Sequence, residues 1–149
     1  MVIRSQSQQG IALVEFVIVL PLLLILLMAT AEFGRMFYHY NTLTKTVRDG
    51  GRYLAEQATP DTTGLINISD EVADTARNLV VYGQPGAGQP LLEGLATADV
   101  SVVQVDTAHV QVSAAYQYRP IFEMLPMFGF GSDIGTGRTF QASVTMRAL

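Results

Sequence analysis

The chain carries few of the side chains that enzymes use as nucleophiles, bases or metal ligands. It has two histidines, His39 and His109, and no cysteine in 149 residues. Ser132 and Asp133 would complete a hydrolytic triad with His109, but no G-x-S-x-G turn surrounds the serine. Without thiolates, zinc and iron–sulfur sites lose their usual ligands. We therefore expect no enzymatic activity, no metal and no cofactor.

A glycine-rich stretch near the C-terminus does not have the spacing of a phosphate-binding loop. It contains Gly129, Gly131, Gly135 and Gly137, without a following Lys-Ser or Lys-Thr pair. A flexible loop is the expected structure. The net charge of −4 gives the chain no electrostatic reason to bind phosphate backbones. Neither a nucleic acid nor a small-molecule substrate is an expected partner.

One carboxylate is unusual because it lies in an apolar segment. Between Ile11 and Ala31, 18 of 21 residues are hydrophobic, and the exceptions are Glu15, Pro21 and Thr30. A helix of this length measures about 31 Å, close to the hydrocarbon thickness of a bilayer. A soluble chain this small could hardly cover a helix that is apolar all round. The segment is therefore predicted to reside in a membrane at some stage.

Two processing events are compatible with this segment. In one, Arg4 and the run Phe16–Met28 form a secretory signal that is cut after Ala29-Thr30-Ala31, which releases a soluble binding module. In the other, the chain is cut after Gly10, so that the apolar helix stays in the mature protein. A third possibility, a membrane-anchored enzyme using the Gly129–Gly137 loop, lacks a supporting motif.

Glu15 separates the first two interpretations. A carboxylate in an apolar stretch costs several kcal/mol to desolvate unless it is protonated or paired. Cleavage after Gly10 would create an ammonium on Ile11, one helical turn before Glu15, so the two groups could pair within one chain or between identical subunits. The alternative is that Glu15 lies at the bilayer interface and is solvated by headgroups.

Several ordered blocks of the sequence resemble a known family. The stretch Gly10-Ile11-Ala12-Leu13-Val14-Glu15-Phe16 resembles the prepilin peptidase site of type IV pilin-like proteins. More narrowly, residues 10–55 resemble the TadE-like minor pilins, or pseudopilins, of the Tad/Flp pilus system. The further matching blocks are Leu20-Pro21-Leu22-Leu23, Glu32-Phe33-Gly34-Arg35, Tyr38-His39-Tyr40-Asn41 and Arg48-Asp49-Gly50-Gly51-Arg52-Tyr53.

This resemblance implies a domain organisation and a function. Residues 1–10 would be a leader removed by prepilin peptidase, 11–31 a transmembrane and filament-core helix, and 32–149 an extracytoplasmic pilin-like domain. Gly10 and Ile11 would flank the cut, and Glu15, Phe16 and Pro21 would serve assembly. The protein would await assembly in the bacterial inner membrane and then join other pilins at the cell surface, in pilus initiation or at an adhesive tip.

The predicted orientation of the chain in the membrane rests on the resemblance and not on the distribution of basic residues. Arg4 is the only basic residue before the apolar segment, whereas the four nearest basic residues after it are Arg35, Lys45, Arg48 and Arg52. Counting charges alone would place the body inside the cell. A cleaved leader is read by its peptidase, so we expect the body outside the cytoplasm.

After Ala31 the chain continues as an amphipathic helix to about Glu56, with a kink expected near Pro21. The apolar positions are Phe33, Met36, Phe37, Tyr40, Leu43 and Val47, and the opposite face carries Arg35, His39, Asn41, Lys45 and Arg48. His39 is expected to be a solvated surface residue. The aromatic residues Phe33, Phe37 and Tyr40 pack either on the protein's own sheet or on neighbouring stems. Gly50-Gly51 either ends the helix or permits close packing.

The rest of the chain predicts one helix and three strands. Ser69 is an expected N-cap and Gly83 a helix end, with a loop before the first and a loop or tether after the second. Alternation predicts strands at 100–105, 110–118 and 140–146, the first with a bulge between Val102 and Val103. The fold class is α+β and pilin-like, in which a long N-terminal helix, half membrane-spanning and half amphipathic, packs on a small antiparallel sheet with one extra helix.

The connection Ile121–Phe130 between the last two predicted strands is unusually apolar. It either tucks under the sheet or stays exposed as a surface for a partner or a membrane. The residues of that surface would be Met124, Leu125, Met127, Phe128 and Phe130.

Overall fold

The computed structural model of the chain describes residues 6–59, 65–121, 124–125, 134–135 and 137–149. The chain forms two compact units. The first comprises Met1–Arg35 and Pro120–Thr136, and the second comprises Met36–Arg119 and Gly137–Leu149. A long helix, a second helix and a three-stranded antiparallel sheet confirm the predicted α+β, pilin-like fold class.

The first helix, α1 (Gln6–Gln57), continues through Pro21 and through both glycines. A kink at Pro21 stays a prediction. Gly50 and Gly51 do not end the helix but permit close packing. A Cβ on Gly50 would lie 2.7 Å from Cγ2 of Val80, and one on Gly51 would lie 2.5 Å from Cγ1 of Val144.

The second helix, α2 (Asp70–Tyr82), has the ends that the sequence predicts. The Ser69 side chain accepts a hydrogen bond from the Val72 N–H at 3.3 Å, which caps the first turn. Gly83 ends the helix with φ of 70°, and its N–H donates to the Leu79 carbonyl at 3.1 Å. Residues 83–90 then form an exposed connection without regular secondary structure.

The main sheet has the order β1–β2–β5 and is antiparallel throughout. β1 (Val100–Gln104) and β5 (Arg138–Arg147) lie on either side of β2 (His109–Tyr118). The even-numbered side chains of β2 are all buried, as the alternation predicts. The predicted strands at 100–105 and 140–146 are also confirmed, as β1 and β5, with slightly different ends.

The predicted bulge in β1 is wrong. The register with β2 runs unbroken from Val100 opposite Ala114 to Gln104 opposite Val110. Val102 is half-buried and Val103 simply faces outward. The two successive valines therefore interrupt the alternation because Val103 is an exposed apolar residue, and not because the strand contains an extra residue.

Within the first unit, two short strands form where the sequence suggested only a connection. β3 (Met124–Leu125) pairs antiparallel with β4 (Ile134–Gly135). A two-residue ladder is too short for an alternation pattern to predict. Residues 122–123, 126–133 and 136 lie outside the described part of the chain, and so does most of the apolar connection.

The core of the second unit lies between α1, α2 and the inner face of the sheet. It joins Leu43, Val47 and Leu54 of α1 to Ala76, Val80 and Val81 of α2 and to Val110, Val112, Ala114, Tyr116 and Tyr118 of β2. Leu92, Leu95, Val100, Ala55 and Ala58 also belong to this buried cluster. The upper part of α1 thus covers the sheet, which is what the amphipathic pattern predicts.

Candidate functional site

The candidate site is the apolar part of α1, residues 10–31, which we call the apolar segment. Most of its large side chains are exposed, whereas Ile25, Met28 and Ala29 are half-buried. The exposed ones are Ile11, Leu13, Val14, Phe16, Val17, Ile18, Val19, Leu20, Leu22, Leu23, Leu24, Leu26 and Leu27. The helix is long and apolar enough to cross a membrane. Because exposing so large an apolar surface to water is energetically unfavourable, the segment requires lipid or protein around it.

Two features make the apolar segment compatible with a nonpolar environment. Helical hydrogen bonds satisfy its backbone groups internally, as an environment without water demands. The hydroxyl of Thr30 donates to the Leu26 carbonyl at 2.7 Å, which satisfies the hydroxyl within the helix. Pro21 lies inside the helix and lacks an N–H, so it leaves one carbonyl of the preceding turn without its usual donor.

Glu15 and the proposed cleavage point lie on accessible parts of α1. Ile11 is 70% exposed and Phe16 is 57% exposed. Glu15 is also exposed, and among the described residues nothing beyond the adjacent helix backbone lies within 4 Å of where a Cβ on Gly10 would be. Ile11 and Glu15 are four residues apart and therefore neighbours on the helix surface. The structure leaves the region open to a peptidase or another helix.

The aromatic residues beyond the apolar segment are not all used in the same way. Phe33 and Phe37 remain exposed, so neither is covered by the described part of the chain. Tyr40 is less exposed and meets Phe140 of β5 edge-on, with ring centroids 5.9 Å apart. The prediction of packing on the sheet is confirmed for Tyr40 only. Phe33 and Phe37 stay candidates for contact with a partner.

The prediction that His39 is a solvated surface residue is wrong. Its ring is half-buried, with Nδ1 3.0 Å from the Tyr116 hydroxyl, and it stacks on that ring. Tyr118 meets the same imidazole edge-on at 5.2 Å. The buried face of α1 is therefore turned from the predicted one, so that His39 joins Met36 and Leu43 on it.

Of the residues considered for catalysis, His109 lies in the described part of the chain. His109 lies in the β1–β2 hairpin, where its Nδ1 is 2.9 Å from the Asp106 carboxylate. Ser132 and Asp133 lie outside the described residues, as do Met127, Phe128 and Phe130 of the proposed partner surface. For Met124 and Leu125 only the backbone is described. No cluster of three metal-binding side chains occurs among the described residues.

Sequence reasoning missed Glu32, which is only 2% exposed. Glu32 is the first charged residue after the apolar segment, so its side chain would be expected to be exposed. A signal was present, because Glu32, Met36, His39 and Leu43 follow one another at helical spacings of four, three and four. That periodicity would have placed both Glu32 and His39 on the buried stripe.

Comparison with known proteins tests the resemblance. Residues 10–52 match the family model of TadE-like proteins. The matched stretch begins at Gly10, contains the apolar segment and Glu15, and ends within α1. It confirms the predicted resemblance over a little under a third of the chain. No curated protein and no solved structure matches the chain.

This match and the apolar helix together fit a subunit associated with a Tad pilus. The TadE-like family is a structural, pilus-associated family. The helix and the family also suggest a membrane-anchored protein of the cell surface.

Proposed function

We propose that the protein is a minor pilin, or pseudopilin, that enters a Tad-type pilus through its apolar segment. The observation that carries the proposal is a helix that is apolar on all sides and mostly exposed, yet contains one carboxylate, Glu15. In the membrane, lipid covers this surface, and in the filament the equivalent helices of other pilins cover it. The second unit then forms the part of the subunit that faces outward.

Processing by prepilin peptidase after Gly10 would give the Glu15 carboxylate, which is otherwise unfavourable among apolar residues, a positively charged partner. The new Ile11 ammonium would lie one turn from Glu15, or beside Glu15 of a neighbouring pilin. An ion pair in a nonpolar environment is strong only when both partners are present. Glu15 would thus favour the joining of processed subunits and disfavour dispersed ones, while Phe16 and Pro21 shape the packing of the helices.

Continuity of α1 supports cleavage after Gly10 over cleavage after Ala31. Ala31 lies deep inside α1, and the Thr30 hydroxyl is bonded within the same helix. A soluble module released there would begin with Glu32, a residue that is buried. Gly10, in contrast, lies within five residues of the N-terminal end of the helix, where unwinding costs little.

Intact-mass measurement on protein purified from its native host tests the processing step. We expect a mature chain that begins at Ile11. A Gly10→Leu variant should stay uncut and keep the leader, because a bulky side chain replaces the smallest residue next to the cut. A chain that begins at Glu32 would show release of a soluble module and overturn the proposal.

Glu15 variants test the assembly step separately. Glu15→Gln keeps the shape of the side chain and removes the charge, and Val14→Ala is the matched control at a neighbouring exposed position. We expect both variants to resist alkaline extraction from membranes, but only Glu15→Gln to disappear from the sheared pilus fraction. Equal amounts of both variants in that fraction would contradict the docking role of Glu15.

The position in the filament needs its own measurement. A role in initiation or at an adhesive tip predicts few copies per pilus, located at one end. Immunogold labelling of an epitope inserted in the exposed connection 83–90 should therefore mark filament ends. Uniform labelling along the shaft would show instead that the protein is a shaft subunit.

A further inference from the structure

The three-stranded sheet of the second unit has two edges that carry opposite charges. β1 is flanked by Asp99 and Asp106, and β5 begins with Arg138 and ends with Arg147. All four side chains are exposed. No strand among the described residues pairs with the outer side of β1 or of β5. One edge is thus bounded by acids and the other by bases.

The β5 edge lacks the features by which proteins usually prevent strands from joining. Such edges are normally protected by prolines, bulges or charged residues within the strand. β5 has no proline and no charge between Thr139 and Met146, and it pairs with β2 without a bulge over ten residues. Its backbone groups on the outer side are therefore suited to accept another strand.

The inner face of β5 is also incompletely covered. The four side chains that point toward α1, Phe140, Ala142, Val144 and Met146, are only half-buried. Their cross-strand neighbours on β2, such as Val112 opposite Val144, are buried completely. An additional strand beside β5 would cover this row, since residues on adjacent strands shield one another.

The β1 edge has matching properties. The strand Val100–Gln104 contains no charged residue, and the exposed Val103 makes its outer surface apolar. Because both β1 and β5 run antiparallel to β2, they run parallel to each other. A second copy displaced sideways in the plane of the sheet would therefore bring its β1 beside β5 as a parallel pair. If the register also shifts by two residues, so that Val103 lies beside Ser143, Asp99 comes within one residue of Arg138. The same shift places Asp106 within one residue of Arg147.

We propose that β5 of one copy pairs in parallel with β1 of a second copy, so that their sheets join into one. The contact uses different surfaces on the two copies, so it can repeat into an open row. In this arrangement the inner faces of both sheets lie on the same side, as they do within one continuous sheet. This proposal does not depend on the pilus function and concerns the second unit alone.

Charge argues against pairing of β5 with itself. Two β5 strands would have to pair antiparallel to keep their inner faces on one side of the sheet. That arrangement places Arg138 of one copy close to Arg147 of the other at both ends of the pair, where like charges are destabilising. Pairing of β5 with β1 replaces both repulsions with attractions.

The absence of cysteine from the sequence permits a clean cross-linking test. Ser101, Ser113 and Ser143 form one row across β1, β2 and β5 on the outer face of the sheet. Two differently tagged copies of the full chain are mixed in detergent micelles and oxidised, one with Ser143→Cys and the other with Ser101→Cys. Val103→Cys replaces Ser101→Cys in a second mixture, which allows for a shift of register by two residues.

Ser113→Cys is the matched control, since it is the same residue type in the same row on the central strand. Adjacent strands are about 4.8 Å apart, so Ser113 would lie about 10 Å from Ser143 of the other copy, beyond the reach of a disulfide. We expect mixed dimers with cysteine at 101 or 103 and few with cysteine at 113. Equal yields at all positions, no dimers, or dimers mainly of Ser143→Cys with itself would overturn the proposal.

Charge reversal provides a second, independent readout on the same pair of cysteines. Arg138→Glu combined with Arg147→Glu should lower the yield of mixed dimers at least about fivefold, since two exposed ion pairs become repulsions. A change of both arginines to lysine should preserve the yield. Circular dichroism establishes that each variant is folded. An unchanged yield after charge reversal in folded protein would contradict the proposed edge contact.

Discussion

Two stretches of the same helix, α1, differ in how their hydrophobic side chains are distributed around the helix and in what covers them. In residues 10–31 hydrophobic side chains surround the helix, and most of them are exposed. In residues 36–57 they occupy one stripe, and Leu43, Val47 and Leu54 are completely or almost completely buried under the sheet. The second stretch stabilises the folded subunit, whereas the first gains nothing from folding and must be covered by other molecules. Hydrophobicity alone therefore does not distinguish a core from an assembly surface, but its distribution around the helix does.

Replacing one leucine in each stretch should give the largest contrast. Leu54→Ala removes a completely buried side chain and should lower the free energy of unfolding by about 2–5 kcal/mol. Leu26→Ala, at a site that is 64% exposed, should change it by less than about 0.5 kcal/mol. Urea unfolding of the full chain in detergent micelles, followed by circular dichroism, measures both values. Similar losses for the two variants would show that residues 10–31 also pack within the subunit.

Alanine in place of glycine should change the free energy of unfolding in opposite directions at Gly50, in the second stretch, and at Gly34, which lies between the two stretches. A Cβ on Gly50 would lie 2.7 Å from Cγ2 of Val80 and 3.0 Å from the Ala76 carbonyl oxygen, whose backbone cannot easily move. Gly50→Ala should therefore destabilise the protein by about 1–3 kcal/mol through overpacking, even though alanine favours the helix.

Gly34→Ala is the control for this substitution. No atom lies within 4 Å of its Cβ position, so the variant should stabilise the helix by about 0.5–1 kcal/mol. Chemical unfolding of both variants gives the sign directly. If Gly50→Ala were also stabilising, then α1 and α2 would be separated by more space than the structure shows.

Elements with local signals were predictable from the sequence. The ends of α2 follow from Ser69 and Gly83, whose side-chain and backbone chemistry act within one turn. β2 follows from strict alternation, because a strand with one buried face leaves that pattern in any sequence. The apolar segment and Glu15 were also evident, since the cost of a carboxylate among apolar residues does not depend on the fold.

Elements that depend on tertiary packing were not predictable in detail. The aromatic residues predict which side of α1 is buried after the apolar segment, yet Phe37 is exposed and His39 is half-buried. An imidazole becomes acceptable there because β2 provides a hydroxyl and two rings from 77 and 79 residues away. Likewise, the valine pair in β1 could not reveal which valine faces inward without the register to β2.

The polar contact of His39 allows a smaller test within the upper stretch. The Tyr116 hydroxyl lies 3.0 Å from His39 Nδ1 and donates to the Glu93 carbonyl at 3.3 Å. Tyr116→Phe should therefore cost about 1 kcal/mol of unfolding free energy. Tyr38→Phe is the control, because this side chain is largely exposed and the change should be close to neutral. Equal effects from both substitutions would show that the contact with His39 contributes nothing.

The smallest expected effect concerns the pH response of the β1–β2 hairpin, far from any hydrophobic burial. The pKa of Asp106 is held below its ordinary value, first by the hydrogen bond from the Ala108 N–H and then by the His109 side chain. A lowered pKa in the folded state means that the unfolded chain takes up this proton more readily. The stabilising contribution is therefore present above about pH 4, the ordinary range of an aspartate, and is lost as the pH falls through the lower folded value.

Amide chemical shifts of Ala108 and His109, followed by NMR from about pH 6 to about pH 2, should report this titration with a midpoint below that of an ordinary aspartate. In Asp106→Asn the transition should disappear, because the amide side chain does not titrate in this range. A midpoint at the ordinary value would mean that the two hydrogen bonds, 2.7 Å from Ala108 N and 2.9 Å from His109 Nδ1, do not persist in solution. Because Asp106 also lies at one end of the β1 edge, its ionisation should matter more when copies associate.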